Sequence, residues 1–488
     1  MTTSPLRAGA ARVDITPPIG ISMVGYYARE GVSMGVERPL TATALVLANP
    51  DHKIAIVACD VIFIQSPAVE EVRGRIAAAI GTDPGHVLIN CSHTHCGPTL
   101  PGFTFESEEQ RRIQGEYLAN LKTQLTGCVM MADRAARPAR VGFGEGQAWI
   151  GINRRERDTD GKIFLGENPD GPMDPAVGVI RVDEMDGRPI AVLCSYGCHT
   201  VTMGPKCLML SPDFAGPARE VIEHATGAKA LYLQGAAGNI NPITGIGATG
   251  DDSENMMRLG QTLGAEALKV AAGIRTHQKR GPRAIFASLS KNSLFPYVAV
   301  EDTGTELTAA SETVNLPMMP FPSLADCRRI LDQRRGALEQ AQRDGFPPHR
   351  LAFYHRFHDW AKVLNRRVEA GERQATMPVN VQAIRINDLA LAAVSGETLV
   401  ELGLGVKRAS PCGKTVFLGY TNGCIGYIPP ADCYPDGGWS PFETYSIPDM
   451  LFQSYQLPMA LAPECGQLVI ENSVRLVRQV CGGAEAVG

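Results

Sequence analysis

The segment Ile54–Ile64 reads IAIVACDVIFI, apolar and largely β-branched apart from a single charge, Asp60. A run of this kind fits a strand covered on both faces, so the chain has to supply layers on either side of a sheet. A helix is predicted directly after it. Ser66 is placed to cap, Pro67 suits the first turn, Val69, Val72, Ile76 and Ile80 recur at helical spacing, and Gly81 closes the element. Val87–Asn90 then reads as the next strand, which makes residues 54–91 a β-α-β unit.

The pattern recurs downstream. Ile190–Leu193 reads as strand, 213–226 as helix, Ala230–Leu233 as strand, and 253–272 as a helix with Met256, Leu259, Leu263 and Val270 on one side. Strand-like runs return at Val381–Ile386 and Leu389–Val394. Residues 323–371 differ: they are rich in Arg, Gln, Glu and Ala, and a Pro347-Pro348 break separates two helical stretches, so they predict a helical hairpin. Without internal repeats or a low-complexity linker, the expectation is an α/β protein of mixed sheets flanked by helices. It forms a single large domain over residues 1–488, with the hairpin inserted into it.

Several function classes are excluded by charge and hydropathy. A net charge of −5 with no cluster of Lys and Arg offers no footprint for nucleic acid. The N-terminal residues lack a secretion-signal pattern and no run approaches the ~20 apolar residues of a membrane span, so a cytoplasmic protein without a span is expected. A small-molecule substrate fits such a chain, and a homo-oligomer stays open. The 13 cysteines include no C-x-x-C pair, which argues against a disulfide framework and a zinc ribbon. Cys91, Cys96, Cys194, Cys198 and Cys424 flank the candidate ligands below and read as packing residues.

Five motifs fall just beyond the ends of hydrophobic runs. They are Cys91-Ser-His93-Thr-His95-Cys-Gly-Pro98, Ser195-Tyr-Gly-Cys-His199-Thr200, Leu233 to Pro242, Ser395-Gly-Glu397, and Gly419 to Pro430 with Tyr427. In α/β sheets ligands bind in the crevice outside the carboxyl ends of the strands, so their common placement marks one site. Two histidines at i and i+2 in extended backbone project to one side, as convergent metal ligation needs; two satisfied histidines in a polar loop are the alternative. Two His, a Glu and a Tyr would supply nitrogen and oxygen ligands to zinc. Gly245-Ile-Gly-Ala-Thr-Gly250 matches G-x-G-x-x-G, but it follows an Asn-Pro turn and precedes Asp251 and Asp252, so it is set aside as a dinucleotide site.

In order and position these motifs resemble the neutral, alkaline, non-lysosomal ceramidases, zinc amidases that cleave the N-acyl bond of ceramide. The likeness runs through Gly9–Pro18, Gly25-Tyr-Tyr27, His93–Pro98, Ile152-Asn-Arg154, His199-Thr200, Gly238–Pro242, Gly396-Glu397 and Asn422–Tyr427. It implies His93, His199, Glu397 and Tyr427 as zinc ligands, with His95 and Arg154 as catalytic groups beside the reacting carbonyl. It implies substrate contacts at Gly238 and Asn241.

Three departures qualify the expectation. Asn241 stands where that family has its active-site serine, the chain has no room for the larger members' C-terminal β-sandwich, and it shows no export signal. The expected function is a Zn2+-dependent amidohydrolase using metal-activated water on a substrate smaller and more soluble than ceramide. The alternatives are the same centre working on a lactone, cyclic amide or sugar-derived substrate, or a non-catalytic binding protein that has kept the fold.

Overall fold

The charge inside the apolar run decides how the first β-α-β unit is built. The strand is Lys53–Cys59, and the chain leaves the sheet at Asp60. Its buried carboxylate accepts both terminal nitrogens of Arg219 at 2.7 Å and the backbone N–H of Thr41 at 2.9 Å. Residues 61–64 therefore remain buried but run as loop, a correction to the continuous strand expected over 54–64. Ser66 is likewise inside the first helical turn rather than at the cap, because it packs against the Gly423 loop; Gly81 closes the helix with φ +69° as expected. The computed structural model describes residues 6–101, 107–287, 290–300, 305–437 and 452–482.

Eight strands form the larger sheet in the order Lys229–Gln234, Pro189–Tyr196, Ala176–Glu184, Arg137–Gln147, Arg7–Asp14, Thr41–Ala48, Lys53–Cys59, Val87–Cys91. Only the terminal pair at each edge is parallel. The smaller sheet orders Leu307–Pro317, Thr376–Ile386, Leu389–Val394 and Lys414–Leu418, again with a parallel final pair. Parallel neighbours need a crossover. Helices Ser66–Ile80, Ala215–Thr226 and Val400–Ala409 provide the three. The sheets share a core in which Leu45, Leu47, Leu193 and Leu231 of one meet Ile384 and Leu391 of the other, all buried.

The larger sheet curls until its two edge strands meet, and Asn90 joins them. Its side-chain amide donates to the carbonyls of Gln234 at 3.1 Å and Gly419 at 2.9 Å, while its oxygen accepts the Gln234 N–H at 2.7 Å. One fully buried side chain thus ties the ends of three strands from both sheets.

The hairpin is present as helices Leu324–Arg343 and Pro348–Glu369, the first capped by Ser323. Cys412 and Cys481 form a disulfide between the loop after Val400–Ala409 and the end of helix Cys465–Val480. It is a single staple that spacing did not reveal, and the other described cysteines are free thiols, all buried except half-buried Cys424. Among the described residues no helix is long and apolar enough to cross a membrane.

Asn90→Ala should lower unfolding free energy by about 3 kcal/mol or more, because each buried group left without a partner costs roughly 1–3 kcal/mol. Urea denaturation checks this, and a loss below about 1 kcal/mol would show that the strand ends hold without the clamp.

Candidate metal centre

Each β-α-β crossover delivers one ligand candidate just past the end of its first or last parallel strand. His93 follows Val87–Cys91, His199 follows Pro189–Tyr196, and Glu397 follows Leu389–Val394. The turn after Cys91 requires left-handed backbone at His93, φ +61°, held by N–H bonds from Ser92 to Cys59 and from His93 to Val61. The histidine loops are stitched by His95 N–H to Thr200 O at 3.3 Å and by the Thr200 hydroxyl to Ser92 O at 3.0 Å. Glu397 and Tyr427 are brought together by a short parallel ladder, Glu397–Thr398 against Tyr427–Ile428, that pairs them in register.

His93 Nδ1 lies 2.9 Å from the Ile62 carbonyl and His199 Nδ1 lies 2.6 Å from that of Ala237. A carbonyl only accepts, so both Nδ1 atoms carry a proton, and in the neutral imidazoles that ligation requires both Nε2 atoms present lone pairs. Those lone pairs converge with a carboxylate: Glu397 Oε2 is 3.3 Å from His93 Nε2 and 3.5 Å from His199 Nε2. His95 Nε2 is 3.3 Å from His93 Nε2, and the ligating atoms of the three histidines all lie within 4.8 Å of one another. A buried set of acceptors facing each other repels unless a cation lies between them. His199 Nε2 is fully buried without a hydrogen-bond partner. Edges of 3.3–3.5 Å match a tetrahedron of bonds of about 2.0–2.1 Å, the length of zinc–imidazole bonds. The donor set fits zinc.

The protonation states agree with ligation. Burial, reinforced by the Arg154 cation, pushes His199 down to about 4. Burial and then the neighbouring His93 and His199 hold His95 well below the ordinary imidazole range. Burial acts to raise Glu397, yet protons on the Nε2 atoms of His93 and His199 outweigh it and keep the carboxyl well below its usual range, so without an ion the carboxylate calls for positive charge between itself and the imidazoles, the place a metal cation would take. Tyr455 and Tyr420 are pushed up by burial and then by the charge of Glu397, so both stay hydroxyl donors. Tyr455 donates to Glu397 Oε1, and Tyr420, its ring centroid 4.2 Å from that of His93, reaches Oε2 at 3.5 Å.

Arg154 bridges the remaining candidates. Its Nη2 donates to the Tyr427 hydroxyl at 2.9 Å and its Nη1 to Asn241 Oδ1 at 3.4 Å. Gly238 sits elsewhere than expected. It is buried against the Glu397 strand, donates to Thr398 O at 2.9 Å, and a Cβ there would come within 2.8 Å of Glu397 O. The Gly238–Asn241 turn is an organiser: Asn239 O accepts from Arg154 N–H, Ile240 O from His199 N–H, and the Asn239 side chain caps helix Val400–Ala409 at 2.8 Å.

His93, His95, Arg154, Tyr427 and Tyr455 line a cavity of about 320 Å3 whose other walls are mostly apolar, including Met23, Tyr26, Tyr27, Ile62, Leu165 and Ile246. Gly25 adopts φ +108° and a Cβ there would lie 2.4 Å from His95 Nδ1, so the Gly25-Tyr-Tyr27 motif exists to let the histidine in. Sequence reasoning missed Tyr455, which lies in none of the motifs, took Tyr427 rather than Tyr420 from the Gly419–Pro430 motif, and set aside the glycine loop whose Ile246 forms part of the wall.

Fold and site together define a mixed α/β protein with a buried histidine–carboxylate cluster, two of whose histidines, His93 and His95, line a mostly apolar cavity. The model of the neutral/alkaline non-lysosomal ceramidase N-terminal region matches residues 6–261, and the chain belongs to that family. It is 25% identical over 288 residues to neutral ceramidase from Pseudomonas aeruginosa, covering 55% of this chain and 42% of the relative. It is 26% identical over 268 residues to neutral ceramidase A from Dictyostelium discoideum, covering 49% and 36%. The matches thus span less than half the length of these relatives. The crystal structure of the Pseudomonas aeruginosa ceramidase superposes with a TM-score of 0.66 over 98% of this chain and 75% of that one, at 18% identity, which places the fold.

For chelator-treated protein, stability should fall as pH drops from about 6.5 toward about 4. In that window unfolded His199 and His95 each bind a proton that the folded site refuses, so the unfolded state holds more protons and is favoured as pH falls. The lowered Glu397 works in the same direction at more acid pH. Thermal melts across pH 7 to 4.5 check this; His199→Gln should reduce the slope, leaving the part due to His95, and an unchanged slope would refute the assignment.

Proposed function

We propose that this chain is a zinc-dependent hydrolase that cleaves an amide (N-acyl) bond in a substrate smaller and more soluble than ceramide, with residues 1–488 acting as one domain. The observation that carries the reading is the convergence of His93 Nε2, His199 Nε2 and Glu397 Oε2 beside a cavity that His93, Arg154 and Tyr427 line. His93, His199, Glu397 and Tyr427 would hold the ion. When bound, zinc supplies a Lewis acid able to lower the pKa of water from ~15.7 toward ~7 and to polarise a carbonyl.

The chain's own groups do the rest. Arg154, buried and anchored on Tyr427 and Asn241, presents a fixed cation where negative charge develops on the carbonyl oxygen. His95, neutral and at the cavity surface, is placed to hold or take a proton at Nε2. Asn241 has no hydroxyl, so attack by a side chain at that position is excluded, and its oxygen serves Arg154 instead. A cavity of about 320 Å3 among the described residues falls within the range of small-molecule sites, roughly 300–1,000 Å3.

Purified protein should contain one zinc per chain and hydrolyse short N-acyl compounds, with loss on chelation and restoration by zinc. His93→Ala and His199→Ala should lose both metal and turnover while staying folded; retention of both by either variant would sink the reading. Arg154→Met should keep its zinc yet lose about 10²–10³-fold in kcat, the usual cost of removing an oxyanion donor. Steady-state kinetics alongside metal analysis checks the split.

A further inference from the structure

Glu397 has two carboxylate oxygens, and the structure gives them different partners. Oε2 faces His93 and His199, while Oε1 accepts the hydroxyl of Tyr455. That tyrosine comes from none of the five strand-end motifs. It lies in residues 452–457, a loop with no strand or long helix of its own to hold it.

The loop is held by the helical hairpin. Arg356 Nε donates to Ser454 O, Trp360 Nε1 to Leu457 O at 2.8 Å, and Arg334 Nη2 to Gln453 Oε1 at 3.3 Å. Gln456, forced to φ +58°, returns a bond from its side chain to Arg356 O at 3.2 Å. Arg334 and Arg356 are both buried, and Trp360 is buried against Phe452 with ring centroids 5.8 Å apart. Room for the ring is made at Gly426, next to Tyr427. A Cβ there would lie 2.7 Å from Tyr455 Cγ. The hairpin also reaches the cavity rim, where Phe353 packs on Tyr27 at 4.7 Å.

We propose that Tyr455 is a positioning residue of the metal centre: clamped by the hairpin, its hydroxyl fixes Glu397 so that Oε2 is the oxygen presented to His93 and His199. This rests on the metal reading above. A ligating carboxylate rotates freely about its last bond unless its other oxygen is tied, and partners of this kind typically govern 10–100-fold in metal affinity. The hairpin is then a structural arm of the centre rather than an independent decoration, because it grips the one loop that carries Tyr455.

The test uses the full chain, stripped with chelator, and Zn2+ affinity measured by competition with a chromogenic chelator. Tyr455→Phe keeps the ring and its packing, so its melting temperature should stay near that of the wild type while Zn2+ affinity falls about tenfold or more. The visible d–d bands of the Co2+-loaded variant should shift as carboxylate coordination changes. Arg356→Met, remote from Glu397, should weaken Zn2+ binding in the same direction and add nothing in a Tyr455→Phe background. If wild-type protein binds no Zn2+, the metal reading fails and the inference with it. If wild type binds and Tyr455→Phe binds within twofold with unchanged Co2+ bands, the positioning role alone is overturned. Additive losses in the double variant would overturn the hairpin's part in it.

Discussion

The arrangement of the site depends on the hydrogen bonds of Asn90. A curled sheet whose edges approach leaves unpaired N–H and C=O groups at the strand ends, and burying them without partners is costly. Asn90 carries donor and acceptor on one short side chain and satisfies Gln234 and Gly419 together. The neighbouring backbone continues the seam: Cys91 N–H bonds to Tyr420 O and Asn422 N–H to Ile89 O. Because His93 lies three residues beyond Asn90, Tyr420 follows Gly419 and the Gly238–Asn241 turn follows Gln234, closing this seam is what sets the candidate ligands at their mutual distances.

Local strain is concentrated at the same seam. His93, Tyr420 and Asn422 all have left-handed backbone, at φ +61°, +50° and +56°. Each costs of order 1–3 kcal/mol for a non-glycine residue and persists only where the surroundings over-determine it. Here they do. His93 is tied through its N–H to Val61 and through Nδ1 to Ile62, and Asn422 Oδ1 accepts the Ile89 N–H at 2.9 Å. The result is a set of imidazoles whose tautomers and orientations are fixed before any ligand arrives, as a preorganised site requires.

Much of this was legible in advance. The β-α-β units announced themselves because parallel strands buried on both faces are nearly continuous apolar runs, and the ligand candidates followed because such units place polar loops at their carboxyl ends. The antiparallel strands Arg7–Asp14, Arg137–Gln147 and Leu307–Pro317 were not, since their exposure alternates irregularly and Gly-rich stretches such as Arg137–Gln147 carry weak strand signals. Gly238 was read as a substrate contact because of its motif, yet it is the close approach of the Glu397 strand that demands a residue without Cβ. The hairpin was visible from its composition, whereas its hold on Tyr455 was not.

By itself the sequence determined the α/β class, the hairpin, and the polar residues that stand at strand ends, because each is encoded by local periodicity and chain order. Tertiary structure decided which of those residues meet. The pairing of Glu397 with Tyr427, the closure of sheet edges by Asn90, the departure of the chain from the sheet at Asp60 toward Arg219, and the delivery of Tyr455 to Glu397 all join residues far apart in the chain. Such contacts are chosen by the burial and hydrogen-bond satisfaction of the whole fold, which no local pattern records.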